Sequence, residues 1–410
     1  MCVPSNKYLY IAGGFEGDIE DTAWSVSSNS SPQPQPRYTS NAEETDTRLW
    51  LHVKNTTKER ILIKSPDTDI YHIGLPLSHD QRKEIFIQIN KYNSYELQYI
   101  HLQAFITALE NDPDLSSLPQ QLLPQTFQTI YVATGSDYTS FFSGIGKSSF
   151  LKTFYQHSRF ISSGKVRNAP GTLVDVNPDS NESSNGFLAF LRLVGTAYFK
   201  KYPRSFSQDT PDGHFNFFWK DGQSPLEHHK LWLDDIRQQT WDRVLYENEM
   251  VPSMEALYRH WMRTCWVIHM WKQANKNIIE LLPLTKHGWK LENDILTFDW
   301  DSEENIQNVN KRVAGLLKGC RCKTGCKTAR CGCKKKGNVC SEGCECTDCT
   351  NNSSKTDDNV QDSPLDDVVL EEMEENNLLP DGNEDDGSLS NESDEEVEVD
   401  DEQTGQDMDY

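Results

Sequence analysis

The stretch that decides how the C-terminal part of this chain folds is CRCKTGCKTARCGCKKKGNVCSEGCECTDC, residues 320–349, which holds nine of the eleven cysteines. An odd number of cysteines, several only two residues apart, argues against a disulfide framework. Thiolates at this density are metal ligands, and zinc takes four of them in a tetrahedron. Three zinc ions need twelve ligand positions, which nine thiolates supply if three of them bridge. We therefore predict a structural three-zinc module over residues 318–351, with these ligands: Cys320, Cys322, Cys326, Cys331, Cys333, Cys340, Cys344, Cys346 and Cys349.

The cysteine segment is also basic. Residues 318–350 contain eight lysines and arginines against three acidic residues, a net charge of +5. A small cationic surface of this kind suits the phosphate backbone of DNA. Two other interpretations of the cysteines stay open, a metal store with labile zinc and a zinc module that docks a protein.

The spacing of the nine cysteines resembles the tesmin-type CXC (CRC) domain, in which all nine have counterparts. Members of that family hold a three-zinc, nine-cysteine cluster and bind DNA, and the residue just before the second C-x-C pair enters the minor groove. The resemblance therefore implies that Arg330 is a minor-groove arginine, favoured where A·T-rich DNA narrows the groove. We expect Lys327, Lys334 and Lys335, in the same basic segment, to contact DNA as well.

The sequence after the cysteines is strongly acidic. Residues 351–410 hold 23 acidic residues and one lysine, so almost all of the net charge of −23 lies there. Acidic runs, few aromatic residues and no apolar periodicity predict a disordered tail over residues 352–410. A polyanion tethered this close to a basic segment is expected to compete with DNA. Alternatively, the tail binds chromatin proteins or only increases solubility.

The chain has no apolar run of about 20 residues and no signal-peptide pattern. Reduced cysteines fit the cytosol or the nucleus. We therefore expect a soluble nuclear protein without a membrane partner.

Upstream of the cysteines, residues 43–165 alternate between predicted helix and strand and carry five carboxylates at element ends. Residues 60–64 (RILIK) and 129–133 (TIYVA) are predicted to be buried strands. Ligands bind beyond the carboxyl ends of strands in an α/β sheet, so we expect the carboxylates to meet at one edge. They would hold Mg²⁺ or Mn²⁺ and activate water against a phosphodiester, although each also suits a helix start. The five are Glu44, Asp46, Asp67, Asp69 and Asp137.

The order of these pieces resembles the second half of a flap-endonuclease/XPG-type 5′ nuclease, which is PIN-like. The shared features are an E-x-E-like pair at a helix start, a strand ending in D-x-D and a strand ending in G-S-D-Y. The resemblance assigns the five carboxylates to a catalytic metal site. It covers residues 43–160, whereas further metal-binding aspartates of that family come from an upstream strand and helix. Because 42 residues precede Glu43, we expect a partial nuclease-like sheet.

The segment SGIGK, residues 143–147, matches the helix–hairpin–helix element of the same family. There, glycine lets backbone amides approach duplex phosphates closely. The resemblance implies that Gly144, Gly146 and Lys147 contact DNA. Taken alone, the two glycines also suit an ordinary turn between helices.

The rest of the chain is predicted to be structural. Residues 1–42 form an N-terminal segment in which residues 27–36 (SSNSSPQPQP) are a linker. Residues 186–317 form a tryptophan-rich helical region, interrupted by a short strand at 295–298 and closed by a helix at 305–317. Core packing is the favoured role of its aromatic residues.

Together these features predict an α/β region with a partial PIN-like sheet, a helical block, a small three-zinc CXC module and a disordered acidic tail. The predicted function is zinc-dependent DNA binding, with a nuclease-like domain that cuts or recognises structured DNA. An active form would be a magnesium-dependent, structure-specific nuclease. The alternative is a non-enzymatic chromatin or transcription adaptor that binds DNA through the CXC domain.

Overall fold

The computed structural model describes residues 3–351 except 6, 14, 16–20, 80–81, 90–96, 163–171, 178, 180, 183, 207–208, 221, 245–248, 303, 309–319, 321, 324, 329, 336–338, 341–343 and 348. The predicted tail therefore lies outside the described residues. The chain divides into two units, the first formed by residues 1–320 and 341–345 and the second by residues 321–340 and 346–410.

Helices and small sheets are mixed through the chain. The strands are β1 (Tyr8–Ala12), β2 (Ala23–Ser27), β3 (Ser30–Pro34), β4 (Arg60–Lys64), β5 (Glu84–Ile89), β6 (Gln98–His101), β7 (Trp289–Glu292) and β8 (Ile295–Phe298). The helices are α1 (Thr45–Asn55), α2 (Asp69–Ser78), α3 (Leu102–Glu110), α4 (Leu123–Ala133), α5 (Lys147–Ser162), α6 (Asn185–Lys201), α7 (Pro211–Phe217), α8 (Pro225–Thr240), α9 (Met254–Trp271) and the single turn α10 (Gly332–Lys335).

The α/β part is built on a three-stranded sheet in the order β4-β5-β6. Strand β4 runs parallel to β5, and α2 connects them, whereas β6 is antiparallel to β5. The apolar side chains Ile85 and Ile87 of the central strand are buried. Residues 60–64 form the predicted strand, but β4 lies at the sheet edge and Leu62 is 58% exposed. The prediction that this strand is buried was therefore wrong.

The second predicted strand of this region is a helix. Residues 129–133 are the last turn and a half of α4, in which ten of eleven residues are buried. Pro124 fits the first turn of this helix, where its missing N–H is not needed. An apolar run buried on all sides has no periodicity that separates helix from strand, which explains the error. As a result, Asp137 follows a helix and does not lie at the carboxyl end of a sheet strand.

The predicted linker is also ordered. Strands β1, β2 and β3 form an antiparallel sheet, and residues 27–36 contribute the end of β2 and all of β3. Strand β3 contains only serine, proline and glutamine, so it stays fully exposed while its backbone pairs with β2. Proline is accepted because β3 is an edge strand.

The helical region contains α6, α8 and α9, as predicted. Trp232, Trp261 and Trp271 are fully buried, so these rings form the core. The strand predicted at residues 295–298 is β8. Residues 304–308 are helical, and the remainder of the predicted final helix lies outside the described residues. In the described part of the chain, no helix has the length and apolar character needed to cross a membrane.

Candidate functional site

Three of the five predicted carboxylates lie together in the structure. One oxygen from each of Asp46, Asp67 and Asp69 lies within 4.8 Å of the other two. Asp46 is in the first turn of α1, and the other two lie where β4 leads into α2. The Asp67 carboxylate accepts the backbone N–H of Asp69 at 2.9 Å, which fixes the loop between them. We call these three residues the aspartate cluster.

Close packing of α1 on α2 positions the aspartate cluster. Gly74 of α2 lies directly against the ring of Trp50 from α1, and a Cβ atom at Gly74 would come within 2.1 Å of that ring. Glycine therefore sets the distance between the two helices that carry the carboxylates. Trp50 is itself fully buried.

Two tyrosine hydroxyls bind carboxylates at this site. The Tyr131 hydroxyl donates to Asp69 Oδ1 at 2.5 Å, and the Tyr138 hydroxyl donates to Glu44. The charges of Glu44 and Asp137 act on the aspartate cluster, although neither residue belongs to the set within 4.8 Å. The structure thus brings three predicted carboxylates into one cluster and places the other two close enough for electrostatic coupling.

Crowding makes ionisation of these carboxyls costly. Burial, followed by the charges of Asp67, Asp69 and Glu44, raises the pKa of Asp46 to about 6. Burial also raises the pKa of Asp69, an effect that the hydrogen bond from Tyr131 opposes. A bound divalent cation would relieve this repulsion, because oxygen ligands and clustered negative charge suit Mg²⁺ and Mn²⁺.

Lys147 adds a positive charge to this site. Its ammonium nitrogen lies 3.3 Å from the centroid of the Tyr131 ring. Burial lowers its pKa to about 8, although the charges of Asp69, Asp137 and Asp67 act in the opposite direction. Lys147 was predicted as a DNA contact, and the structure places it beside the carboxylates.

The glycines before Lys147 form a tight turn into α5. Gly144 has φ of +67°, which favours glycine, and the backbone N–H of Ile145 donates to Phe142 O at 3.0 Å. A Cβ atom at Gly146 would meet nothing within 4 Å, so that position is open.

Sequence reasoning missed the contribution of α4 to this site. His72 of α2 stacks on Tyr131 of α4, with ring centroids 3.6 Å apart. Burial, together with the charge of Lys147, keeps the pKa of His72 well below its usual value. Predicting residues 123–133 as a helix would have been necessary to find this contact, because that helix carries Tyr131 against α2.

Four of the nine predicted zinc ligands form a set of close thiols within the second unit. The sulfur atoms of Cys326, Cys340, Cys346 and Cys349 all lie within 4.8 Å of one another. Cys322, Cys331 and Cys333 belong to the same unit, whereas Cys320 and Cys344 belong to the first unit. The described cysteines of this segment form no disulfide.

The spacing and chemistry of these thiols fit tetrahedral metal ions. Four sulfurs at about 2.3 Å from a zinc ion are about 3.8 Å apart, and Cys331 and Cys340 have their sulfur atoms 3.8 Å apart. Cys340 thus has four thiols of its own unit nearby, those of Cys326, Cys331, Cys346 and Cys349. The clustered cysteines are therefore able to hold metal ions.

The four predicted DNA contacts of the cysteine segment are exposed. They are Lys327, Arg330, Lys334 and Lys335. The Lys334 ammonium donates to the backbone carbonyl of Lys327 at 3.0 Å, which fixes the Lys334 side chain against that backbone.

A large cleft of the first unit lies apart from the predicted ligands. It has a volume of about 1470 Å³, and its lining includes Phe141, Arg237, His260, Arg263 and Trp300. None of the predicted carboxylates or cysteines lines it. The size of a cleft does not by itself indicate a ligand, so the candidate sites are the groups of metal-ligating side chains.

The comparisons with known proteins give no further assignment. No family model matches the chain, and no curated protein or solved structure is significantly similar to it.

Proposed function

We propose that this protein is a nuclear DNA-binding protein whose cysteine segment folds around zinc. The observation that carries the proposal is a set of four close thiols, Cys326, Cys340, Cys346 and Cys349, in a segment with exposed lysines and an exposed arginine. All nine cysteines of the spacing pattern would hold the zinc. Structural zinc sites supply folding energy directly, so the bound ions would fix the surface that carries the basic residues.

Arg330 is the residue we expect to enter the minor groove. It is exposed and directly precedes Cys331, which is fully buried and would anchor it to the zinc cluster. Arginine in a narrow groove benefits from the enhanced negative potential of A·T-rich DNA. Lys327, Lys334 and Lys335 would contact phosphates, which position the protein without reading sequence.

Fluorescence anisotropy of the zinc-loaded full-length protein with A·T-rich and G·C-rich duplexes tests this proposal. Arg330→Ala should weaken A·T-rich binding by about tenfold and abolish the preference, because a specific groove contact contributes about 1–3 kcal/mol. Lys58→Ala, which removes an exposed charge from the first unit, is the matched control and should change little. Equal binding by the wild type and Arg330→Ala would contradict the assigned role.

The aspartate cluster supports a second function, divalent-metal chemistry on DNA. Asp46, Asp67 and Asp69 would hold Mg²⁺ or Mn²⁺, which supplies Lewis acidity toward a phosphodiester. The side chain of Tyr131 holds Asp69, and Lys147 is placed to balance the charge. In the stronger form of this proposal the site cuts branched DNA, and in the weaker form it only recognises DNA shape.

Labelled flap and hairpin DNA, incubated with the protein and Mg²⁺ or Mn²⁺, separates the two forms. Cleavage that Asp67→Ala abolishes supports the nuclease. Glu59→Gln, a change at an exposed carboxylate outside the cluster, should leave cleavage intact. Absence of cleavage, or equal cleavage by Asp67→Ala, would reject the nuclease and leave the non-enzymatic DNA-binding adaptor.

A further inference from the structure

A row of aromatic rings connects the N-terminal sheet to α1. Tyr8 and Tyr10, two residues apart on β1, share one face of the sheet, and their ring centroids lie 6.5 Å apart. Tyr10 packs edge-on against Tyr38 at 5.0 Å, and Tyr38 stacks on His52 of α1 at 4.5 Å. We call Tyr8, Tyr10, Tyr38 and His52 the aromatic ladder.

The aromatic ladder is buried at one end and open at the other. Tyr38 is 4% exposed, whereas Tyr10 is 36% and Tyr8 is 67% exposed. The buried end anchors the exposed rings to the core of the first unit. Rings that are held in place but left in water gain little for folding, and a group of them marks an interaction surface.

Positive charge accompanies the exposed end of the ladder. The guanidinium carbon of Arg37 lies 4.8 Å from the Tyr38 ring centroid and 5.9 Å from that of Tyr10. Asn55 donates to the carbonyl oxygen of Arg37 at 2.8 Å, which fixes its backbone. Lys7, next to Tyr8, is exposed as well. Aromatic rings beside cations are the combination that binds single-stranded nucleic acid.

We propose that the aromatic ladder stacks unpaired bases of a nucleic-acid strand, while Arg37 and Lys7 contact its phosphates. The inference rests on the proposed function and deepens it, because it names an unpaired strand as part of the ligand. Stacking needs open base faces, which a duplex interior does not offer. The cations favour a polyanion over an apolar protein surface.

The aromatic ladder and the aspartate cluster both include a residue of α1. His52 and Asp46 are six residues apart on α1, which corresponds to about 9 Å along the helix axis. The same helix therefore carries the inner end of the ladder and one carboxylate of the aspartate cluster.

The test compares single-stranded and duplex binding by the full-length, zinc-loaded protein. Anisotropy is measured with labelled oligothymidylate and with a blunt duplex of equal length. The double variant Tyr8→Ala/Tyr10→Ala should lose at least tenfold in single-strand affinity and keep its duplex affinity, since each stacked base contributes about 1–3 kcal/mol. Tyr8→Phe/Tyr10→Phe keeps both rings and should bind as the wild type does.

Tyr99→Ala is the matched control, because Tyr99 is 48% exposed on another sheet. It should not change either affinity. Unchanged single-strand affinity of the double alanine variant would overturn the ladder proposal. The proposal would also be overturned if sedimentation showed that the variant differs from the wild type only in self-association. Wild-type protein that binds single strands but no duplex would instead reject the DNA-binding role of the cysteine segment. Circular dichroism of the double alanine variant, together with its duplex affinity, separates a loss of base stacking from a loss of the fold.

Discussion

At the scale of single residues, the aspartate cluster is the feature most sensitive to its surroundings. Asp46 lies within reach of Asp67 and Asp69, and its pKa is raised to about 6. Between about pH 4 and 6 the folded protein therefore holds a proton that the unfolded chain has released. Folding stability must then fall as the pH rises through this window in the absence of metal.

Asp46→Asn should remove most of this pH dependence. In EDTA at pH 7.5 we expect the variant to have a free energy of unfolding about 1 kcal/mol above the wild type, a value reduced for solvent exposure of the carboxyl. At pH 4 the two proteins should be equally stable. Urea unfolding at both pH values measures the difference. A variant that is less stable than the wild type at pH 7.5 would contradict the repulsion described for this cluster.

At the scale of elements, the approach of α1 to α2 decides whether the carboxylates meet. The sequence predicts the start of α1 and the turn after β4, because acidic residues at helix starts and a short β-branched run are local signals. It does not predict that residues 129–133 belong to a helix, since complete burial removes the amphipathic period. For that reason the sequence did not predict the position of Tyr131 in α4, or that Asp137 follows a helix.

Gly74→Ala tests the helix contact. The added Cβ atom would come within 2.1 Å of the Trp50 ring, so α2 must shift away from α1. We expect a loss of about 1–3 kcal/mol in the free energy of unfolding, which outweighs the better helix propensity of alanine. Mn²⁺ binding, followed by electron paramagnetic resonance, should weaken as well.

Gly146→Ala is the control for this substitution. Its Cβ atom would meet nothing within 4 Å, so the stability change should stay within about 0.5 kcal/mol. Equal effects of the two substitutions would show that the α1–α2 contact does not have the role described here.

At the scale of the whole molecule, charge is divided unevenly along the chain. The cysteine segment is basic, and residues 351–410 carry a net charge of −22. The sequence predicted that cysteines of this segment cluster as possible metal ligands, because ligand spacing is a local pattern. It could not predict that residues 27–36 join a sheet or that exposed tyrosines stack beside Arg37, since both depend on contacts distant in sequence.

Deleting residues 357–410 should tighten duplex binding, most clearly at low salt. A polyanion tethered directly after the basic segment would compete with DNA at a high effective concentration, and salt would screen that competition. Anisotropy of the full-length and truncated proteins at two salt concentrations measures the effect. Identical affinities at both concentrations would exclude competition by the tail.

We propose above all that zinc bound by the cysteine segment creates the DNA-binding surface. Native mass spectrometry of the full-length protein, paired with duplex anisotropy before and after chelation, tests it most directly. We predict three zinc ions per chain and loss of duplex binding on their removal, with recovery when zinc is restored. A chain that carries no zinc, or one that binds duplex equally well without it, would contradict the account.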